Sequence, residues 1–355
     1  MGRAERPGRP PALDQVARRV EDHLTSVLAE ERARWAAVDE RLAEAVTELA
    51  DHVLGGGKRL RAAFCYWAAV GAGAEEPPGV WDAAAAFELL QGFALIHDDV
   101  MDDADTRRGH ATVHVRHARR LTDSGWRGEP RRYGEGVAIL VGDLGHVYAD
   151  RLVSGLPIAA RRIWDELRIE LNLGQYLDLR SAAAGDVDAA TAAQVSRFKS
   201  ALYTIVRPLQ LGAALQPGCP AGLHAALARF GEPLGRAFQL RDDLLDVVGH
   251  TNRVGKPVGG DLRDGKATEV LALALAEADA EQRAVLARAG EAGLDAGAVA
   301  AMVSVLRDTG AVATVEERID RLVDEAVDAL HELPLTEAAR AALSAIARYV
   351  GSRDR

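Results

Sequence analysis

Apolar residues return every three or four positions along most of this chain, with polar and charged residues between them. Val16, Val20, Leu24, Val27 and Leu28 keep that period, and Trp35, Val38, Leu42, Val46 and Leu49 repeat it in a second run, which predicts amphipathic helices near the start. The same rhythm predicts helices over 61–70, 81–96, 137–153 and 158–179, another around Phe198, and one through Leu234, Phe238, Leu245 and Val248. A helical run from 270 to 350 is broken by glycines at 290–297 and by Pro334. Residues 75–79, 181–191 and 216–222 read as turns or connections, and 116–136, rich in arginine and glycine, reads as an exposed loop. Alternating β-branched runs are scarce and no βαβ rhythm is present. The expected fold class is all-α: one helical domain over 12–355 after a disordered tail at 1–11.

Composition narrows the reading. At 355 residues with 48% apolar content the chain can bury a sizeable core. A net charge of −10 argues against a nucleic-acid binder, whose footprint is a basic patch. Cys65 and Cys219 have no paired spacing, so neither a disulfide framework nor a zinc site is expected. No apolar run approaches the roughly 20 residues of a membrane span, and the start lacks the apolar core of a signal peptide. The expectation is a soluble, cytoplasmic protein.

Candidate chemistry begins at Glu88 to Gly109, where five aspartates and two arginines follow an apolar run. On a helix Asp98 and Asp102 lie one turn apart on one face, with Asp99 turned about 100° away. Such a cluster is either a solvated acidic helix end or a site for a cation. A second copy of the DDxxD string, Asp242-Asp243-Leu244-Leu245-Asp246, preceded by Gln239, favours the cation. Two acidic clusters on facing helices make a carboxylate cage, and Mg²⁺ takes one or two carboxylates while completing its shell with water and phosphate oxygens. The expected guest is a phosphate ester with its metal ions.

Cations are distributed to match. Only four of the 43 basic residues are lysine, namely Lys58, Lys199, Lys256 and Lys266. Lys58 follows Gly55-Gly56-Gly57 and precedes Arg59 and Arg61, a glycine run into a basic helix start that can hold an anion or simply face water. Arg107 and Arg108 either pair with the nearby aspartates or hold diphosphate opposite them. Lys199, with Ser200 beside it, sits in an apolar stretch and must snorkel outward or meet an anion. Gln175 and Asp178 serve either helix packing or the site's outer layer. The glycine-rich stretch 249–268, carrying Lys256, Asp261, Asp264 and Lys266, is long enough to close over a bound anion.

With these motifs in order, the chain resembles a trans-type isoprenyl diphosphate synthase of the polyprenyl synthetase family over nearly its whole length. The matching strings are Gly57-Lys58-Arg59 with Arg61, Asp98 to Asp102 followed by Arg107-Arg108-Gly109, Lys199-Ser200, Asp242 to Asp246, and the lysines Lys256 and Lys266. The resemblance implies antiparallel helices around a deep central cavity, usually as a homodimer, with both aspartate motifs at its mouth. It places Asp98, Asp99, Asp102, Asp242, Asp243 and Lys199 in catalysis. Asp98, Asp102 and Asp242 would hold Mg²⁺ on the allylic diphosphate, whose oxygens would meet Arg107, Lys199 and Lys256, with Lys266, Ser200 and Gln239 also at the substrate. Isopentenyl diphosphate would lie against Lys58, Arg61, Gln91 and Arg108. Departing diphosphate takes the proton, so His97 is expected to be structural.

Chain length is expected from the residues before the first motif. Ala94 lies one turn, about 5.4 Å, below Asp98 on nearly the same face. In the family an aromatic just before the motif acts as a floor. Here Phe93 stands five positions before Asp98, alanine follows it, and no insertion splits the motif. That pattern resembles producers of geranylgeranyl (C20) diphosphate more than of farnesyl (C15), with farnesyl or a longer polyprenyl diphosphate as the alternative where Leu90 and neighbouring helices move the floor. A class I terpene cyclase would carry a different second metal motif, and a non-catalytic regulatory subunit would have lost part of the acidic or cationic set.

Overall fold

The computed structural model describes residues 8–73, 75–184, 189–220, 222–248, 259–266 and 268–353. Its helices are α1 (Pro11–Ala36), α2 (Glu40–Leu54), α3 (Leu60–Gly71), α4 (Val80–Met101), α5 (Val113–Asp123), α6 (Pro130–Val153), α7 (Ile158–Ala184) and α8 (Ala189–Val195). A π-helical stretch, Ser196–Val206, leads into α9 (Arg207–Ala214) and α10 (Leu223–Val248). Then come α11 (Gly260–Arg263), α12 (Glu269–Glu277), α13 (Ala280–Leu286), α14 (Ala296–Asp308), α15 (Ala311–His331) and α16 (Glu337–Ser352). The described strands are an antiparallel ribbon of β1 (Thr106–Arg107) and β2 (His110–Ala111), with Thr106 opposite Ala111.

One connected apolar core runs from Leu13 to Val350. At its centre is α4, where Ala83 to Phe87, Leu89 and Leu90 are all fully buried. Its alanine run lets neighbours approach closely, and α4 packs against α6, α3, α1 and α2. The first helix shows how the sequence period becomes packing: Val16, Val20, Leu24 and Leu28, one turn apart, are 2% exposed or less. Burying each such side chain contributes about 1.5–3 kcal/mol. Opposite α4, α10 packs on the π-helical stretch, α15 and α16.

The stretch 116–136 departs from the sequence reading: it is mostly helix, with α5 ending at Asp123 and α6 beginning at Pro130. Val113, His114, His117 and Leu121 supply a buried face, while Arg119 and Arg120 stay exposed, so the arginine run hid the period. Glu129 caps α6 by accepting the N–H groups of Arg131 and Arg132, with Pro130 in the first turn. The first helix starts at Pro11, directly after buried Pro10, so residues 10 and 11 belong to the packed structure and not to a tail. The connection expected at 181–191 is shorter, because α7 continues to Ala184 and α8 starts at Ala189.

Candidate active site

The last turn of α4 carries Asp98 and Asp99, and Asp102 caps its end at φ −89°. The chain then turns sharply through Asp103 at φ 50°, and the ribbon bends back through Arg108 at φ 53° and Gly109 at φ 79°. Left-handed non-glycine residues are sparse in proteins and gather at functional sites. Here the turn returns Arg107 to the aspartates it follows and sends Arg108 to the Gly56 carbonyl. Arg107 Nε donates to Asp99 Oδ1 at 2.6 Å, and its Nη2 lies 3.8 Å from Asp98 Oδ2. Asp99 is 2% exposed, so it faces Arg107 and orients it rather than opening to solvent.

Lys199 reaches the same carboxylates from the π-helical stretch, a geometry often found at functional sites. Its Nζ donates to Asp98 Oδ1 at 3.2 Å and Asp178 Oδ2 at 2.8 Å, while Gln175 donates to Asp98 Oδ1 at 3.0 Å. Close helix approach makes this possible: a Cβ on Gly174 would lie 2.9 Å from the Lys199 nitrogen, and one on Gly235 only 2.5 Å from Ala201 Cα. The second approach sets α10 against Ser200, which donates to Gln239, and Gln239 in turn donates to Asp243 at 2.6 Å. Lys266 closes the group from beyond α10, with Nζ 3.3 Å from Asp102, 4.0 Å from Asp261 and 3.8 Å from Asp264.

The charges are tuned by these neighbours. Burial disfavours the Asp98 carboxylate, but Lys199, Arg107 and Lys266 outweigh it and hold its pKa below the ordinary 3.8. Asp102 is raised, by burial first and by Asp98 second. Lys199 is raised because Asp98 and Asp178 outweigh its burial, and Lys266 likewise by Asp102 and Asp261. Asp243 is raised well above 3.8, chiefly by burial, with Asp261 adding to it.

A second basic group lies beside the first. Arg61 donates to Thr204 at 2.7 Å and lies 4.2 Å over the Tyr203 ring, whose hydroxyl donates to Gln91 Oε1 at 2.9 Å. Arg108 donates to the Gly56 carbonyl, and half-buried Lys58 sits on the turn before α3. Arg59 goes the other way: left-handed at φ 54°, it buries its side chain on Glu88 and Glu21, each at 3.0 Å, and on the Val53 carbonyl. It anchors the turn from behind.

A cavity of about 580 Å³ opens among Asp178, Lys199, Ser200, Gln239, Asp243 and Lys266. Phe93 and Ala94 are not in its lining; the Phe93 ring lies tilted 4.6 Å from His97 and stacks on His146 at 5.0 Å. His97 Nε2 lies 3.0 Å from the Ile139 carbonyl oxygen, which suits a packing role. Asp242 meets Arg353, and Asp246 accepts the Asp261 N–H at 2.9 Å. Lys256 lies outside the described residues. Among the described residues no three His, Cys, Asp or Glu side chains form a metal site by themselves. The oxygen donors nevertheless fit Mg²⁺ in the mode where one or two carboxylates suffice and substrate phosphate completes the shell.

Tyr203, Thr204 and Arg353 were not marked by sequence reasoning. Tyr203 and Thr204 had a signal, since they fall one turn after Lys199 and Ser200 on the same stretch.

The family model for polyprenyl synthetase matches residues 43–306. This chain belongs to the polyprenyl synthetase family. It is 32% identical over 330 residues to heptaprenyl diphosphate synthase component 2 of Geobacillus stearothermophilus, covering 90% of this chain and 95% of that protein. Geranylgeranyl diphosphate synthase of Mycobacterium tuberculosis is 37% identical over 227 residues, 62% of this chain and 59% of that one. The crystal structure of geranylgeranyl pyrophosphate synthase from Corynebacterium glutamicum, complexed with isoprenyl diphosphate and magnesium, superposes with a TM-score of 0.90 at 36% identity over 96% of this chain and 99% of that one. As a polyprenyl synthetase with the all-α isoprenoid synthase fold, the protein is a prenyltransferase of the trans-prenyl diphosphate synthase type. Enzymes of this type use isopentenyl and allylic diphosphates. No single helix among the described residues is long and apolar enough to cross a membrane.

Proposed function

We propose that this prenyltransferase condenses isopentenyl diphosphate head-to-tail with allylic diphosphates and releases geranylgeranyl diphosphate (C20). The observation that carries the chemistry is the meeting of Asp98 and Asp102 with Lys199, Lys266 and Arg107, beside a second basic group built on Lys58, Arg61 and Arg108. Asp98, Asp102 and Asp242 would hold Mg²⁺, which when bound neutralises the allylic diphosphate and stabilises it as a leaving group. Lys199, Arg107 and Lys266 exchange their aspartate partners for diphosphate oxygens, with Ser200 and Gln239 alongside. The allylic C–O bond breaks with its electron pair on the departing diphosphate. Arg61, Arg108, Lys58 and Gln91 hold isopentenyl diphosphate so that its alkene forms the new C–C bond, and departing diphosphate takes the released proton.

The C20 length rests on the sequence pattern of alanine at 94 with Phe93 before it, neither of which lines the cavity, and on the likeness to geranylgeranyl diphosphate synthases, beside which stands the likeness to a heptaprenyl diphosphate synthase component. A homodimer is supported by exposed apolar residues on two adjacent helices, Ile139, Leu140 and Val147 on α6 and Ile169, Leu173 and Tyr176 on α7. The test is to incubate the protein with Mg²⁺, labelled isopentenyl diphosphate and, separately, dimethylallyl, geranyl and farnesyl diphosphates, and to size the dephosphorylated products. A C20 product is expected. C15, or C25 and longer, overturns the length alone, and failure to incorporate label with any primer overturns the condensation.

A further inference from the structure

The last helix is clasped to the second aspartate motif by two buried arginines that exchange bonds. Arg241 Nε, on α10, donates to the Gly351 carbonyl at 2.9 Å, and Arg353, just past α16, donates back to the Phe238 carbonyl at 3.1 Å and to the Asp242 carboxylate. Arg353 is 2% exposed, its guanidinium lies 3.9 Å over the Phe238 ring, and its Nε and Nη1 have no hydrogen-bond partner among the described residues. Asp242 by contrast is open, with 44% of its side chain exposed.

We infer that Arg353 is a positioning residue that holds Asp242 neutralised until diphosphate arrives, so that Mg²⁺ enters with the substrate and not alone. The inference rests on the reading that Asp242 takes a cation. A divalent ion approaching Asp242 meets an opposing buried charge, and drawing the carboxylate away leaves the Arg353 charge buried without its partner, which is costly. Diphosphate changes the balance because its anionic oxygens hold the ion beside the exposed side of Asp242, so that the carboxylate shares the ion while keeping its bond to Arg353. The first motif has such counter-ions in Lys199 and Lys266, which themselves can turn to the substrate. Arg353, fixed under the Phe238 ring, cannot follow it outward.

Binding of Mn²⁺ measured by electron paramagnetic resonance, with and without inorganic diphosphate, tests this. Arg353→Gln is expected to tighten diphosphate-free Mn²⁺ binding on the order of tenfold, and adding Asp242→Asn is expected to abolish the gain. Arg241→Gln, which loosens the same junction at the Gly351 carbonyl and keeps both members of the Arg353–Asp242 pair, is expected to leave the affinity unchanged. Should Arg353→Gln not fold by circular dichroism, Arg353→Lys keeps the charge with poorer reach and is expected to show a smaller gain of the same sign. No gain, weaker binding, or an equal gain in Arg241→Gln overturns the inference. If Asp242→Asn leaves Mn²⁺ binding with diphosphate intact, the cation reading of Asp242 is what fails.

Discussion

The two aspartate motifs share one string and differ in what each aspartate meets. At the end of α4, Asp98 and Asp102 are matched by Lys199 and Lys266, cations on flexible stems that line the cavity, while Asp99 turns inward to hold Arg107. On α10, Asp242 faces the fixed Arg353, Asp243 is buried on Gln239, and Asp246 accepts a backbone N–H from the start of α11. Identical spacing therefore gives Asp98 and Asp102 of the first motif lysine partners, while it ties Asp242 and Asp246 of the second to Arg353 and to the start of α11 and leaves Asp243 on the cavity wall. The surroundings, not the string, assign the work.

The sharpest break of that contrast is at Asp98. Asp98→Ala removes the carboxylate shared by Lys199, Arg107 and Gln175, and kcat/KM is expected to fall on the order of 10³-fold in a steady-state condensation assay, with circular dichroism unchanged. Lys199→Gln should cost less, about 10²-fold, because Arg107 and Lys266 still reach the same oxygens; a loss equal to that of Asp98→Ala would mean that the lysine alone carries the leaving group. Asp246→Ala tests the scaffold side. Losing a cap-type bond to the Asp261 N–H costs about 1 kcal/mol, read as a lower denaturant midpoint, with the larger part of any activity loss in KM as Lys266 loses its placement. A kcat collapse at unchanged stability would erase the distinction between the motifs.

Much of this was legible before the fold was known. The helical period announced α1, α2 and α10, whose buried faces are continuous, and α4 was legible as an apolar run that the structure buries on every side from Ala83 to Leu90. It missed α5, whose buried face includes His114 and His117 and whose other side is crowded with arginine. The motifs named Asp98, Asp102, Lys199 and Lys266, which the structure brings together, whereas Asp242 meets Arg353 and Lys256 lies outside the described residues. They did not separate Arg59 from Arg61, because a left-handed turn at Arg59 sends one inward and the other to Tyr203 and Thr204. Nor did they mark Arg353, whose bond to Asp242 spans 111 residues and leaves no local pattern.

Asp243 offers the finest test, because its effect on stability has a sign that depends on pH. Its folded-state pKa lies well above the ordinary 3.8, with burial as the main cause and Asp261 next. The folded protein therefore holds the proton more tightly than the unfolded chain, and Asp243 carries no penalty in acid below its unfolded value. As pH rises through the folded pKa the buried carboxylate must ionise or keep its proton against the solvent, and stability falls. Asp243→Asn keeps the shape and a partner for Gln239 without the charge. Its thermal midpoint, measured without diphosphate or divalent ions, is expected to exceed that of the parent near pH 8 and to converge with it near pH 4, on the order of the few degrees that about 1 kcal/mol supplies in a chain of this size. The first motif should behave oppositely. Asp98, held below 3.8 by Lys199, Arg107 and Lys266 against its burial, contributes stability above that value and loses it as pH falls through its folded pKa, so Asp98→Asn should lie below the parent near neutral pH and approach it only in strong acid. Parallel pH profiles for the two variants would show that burial, and not the nature of the partners, governs both motifs.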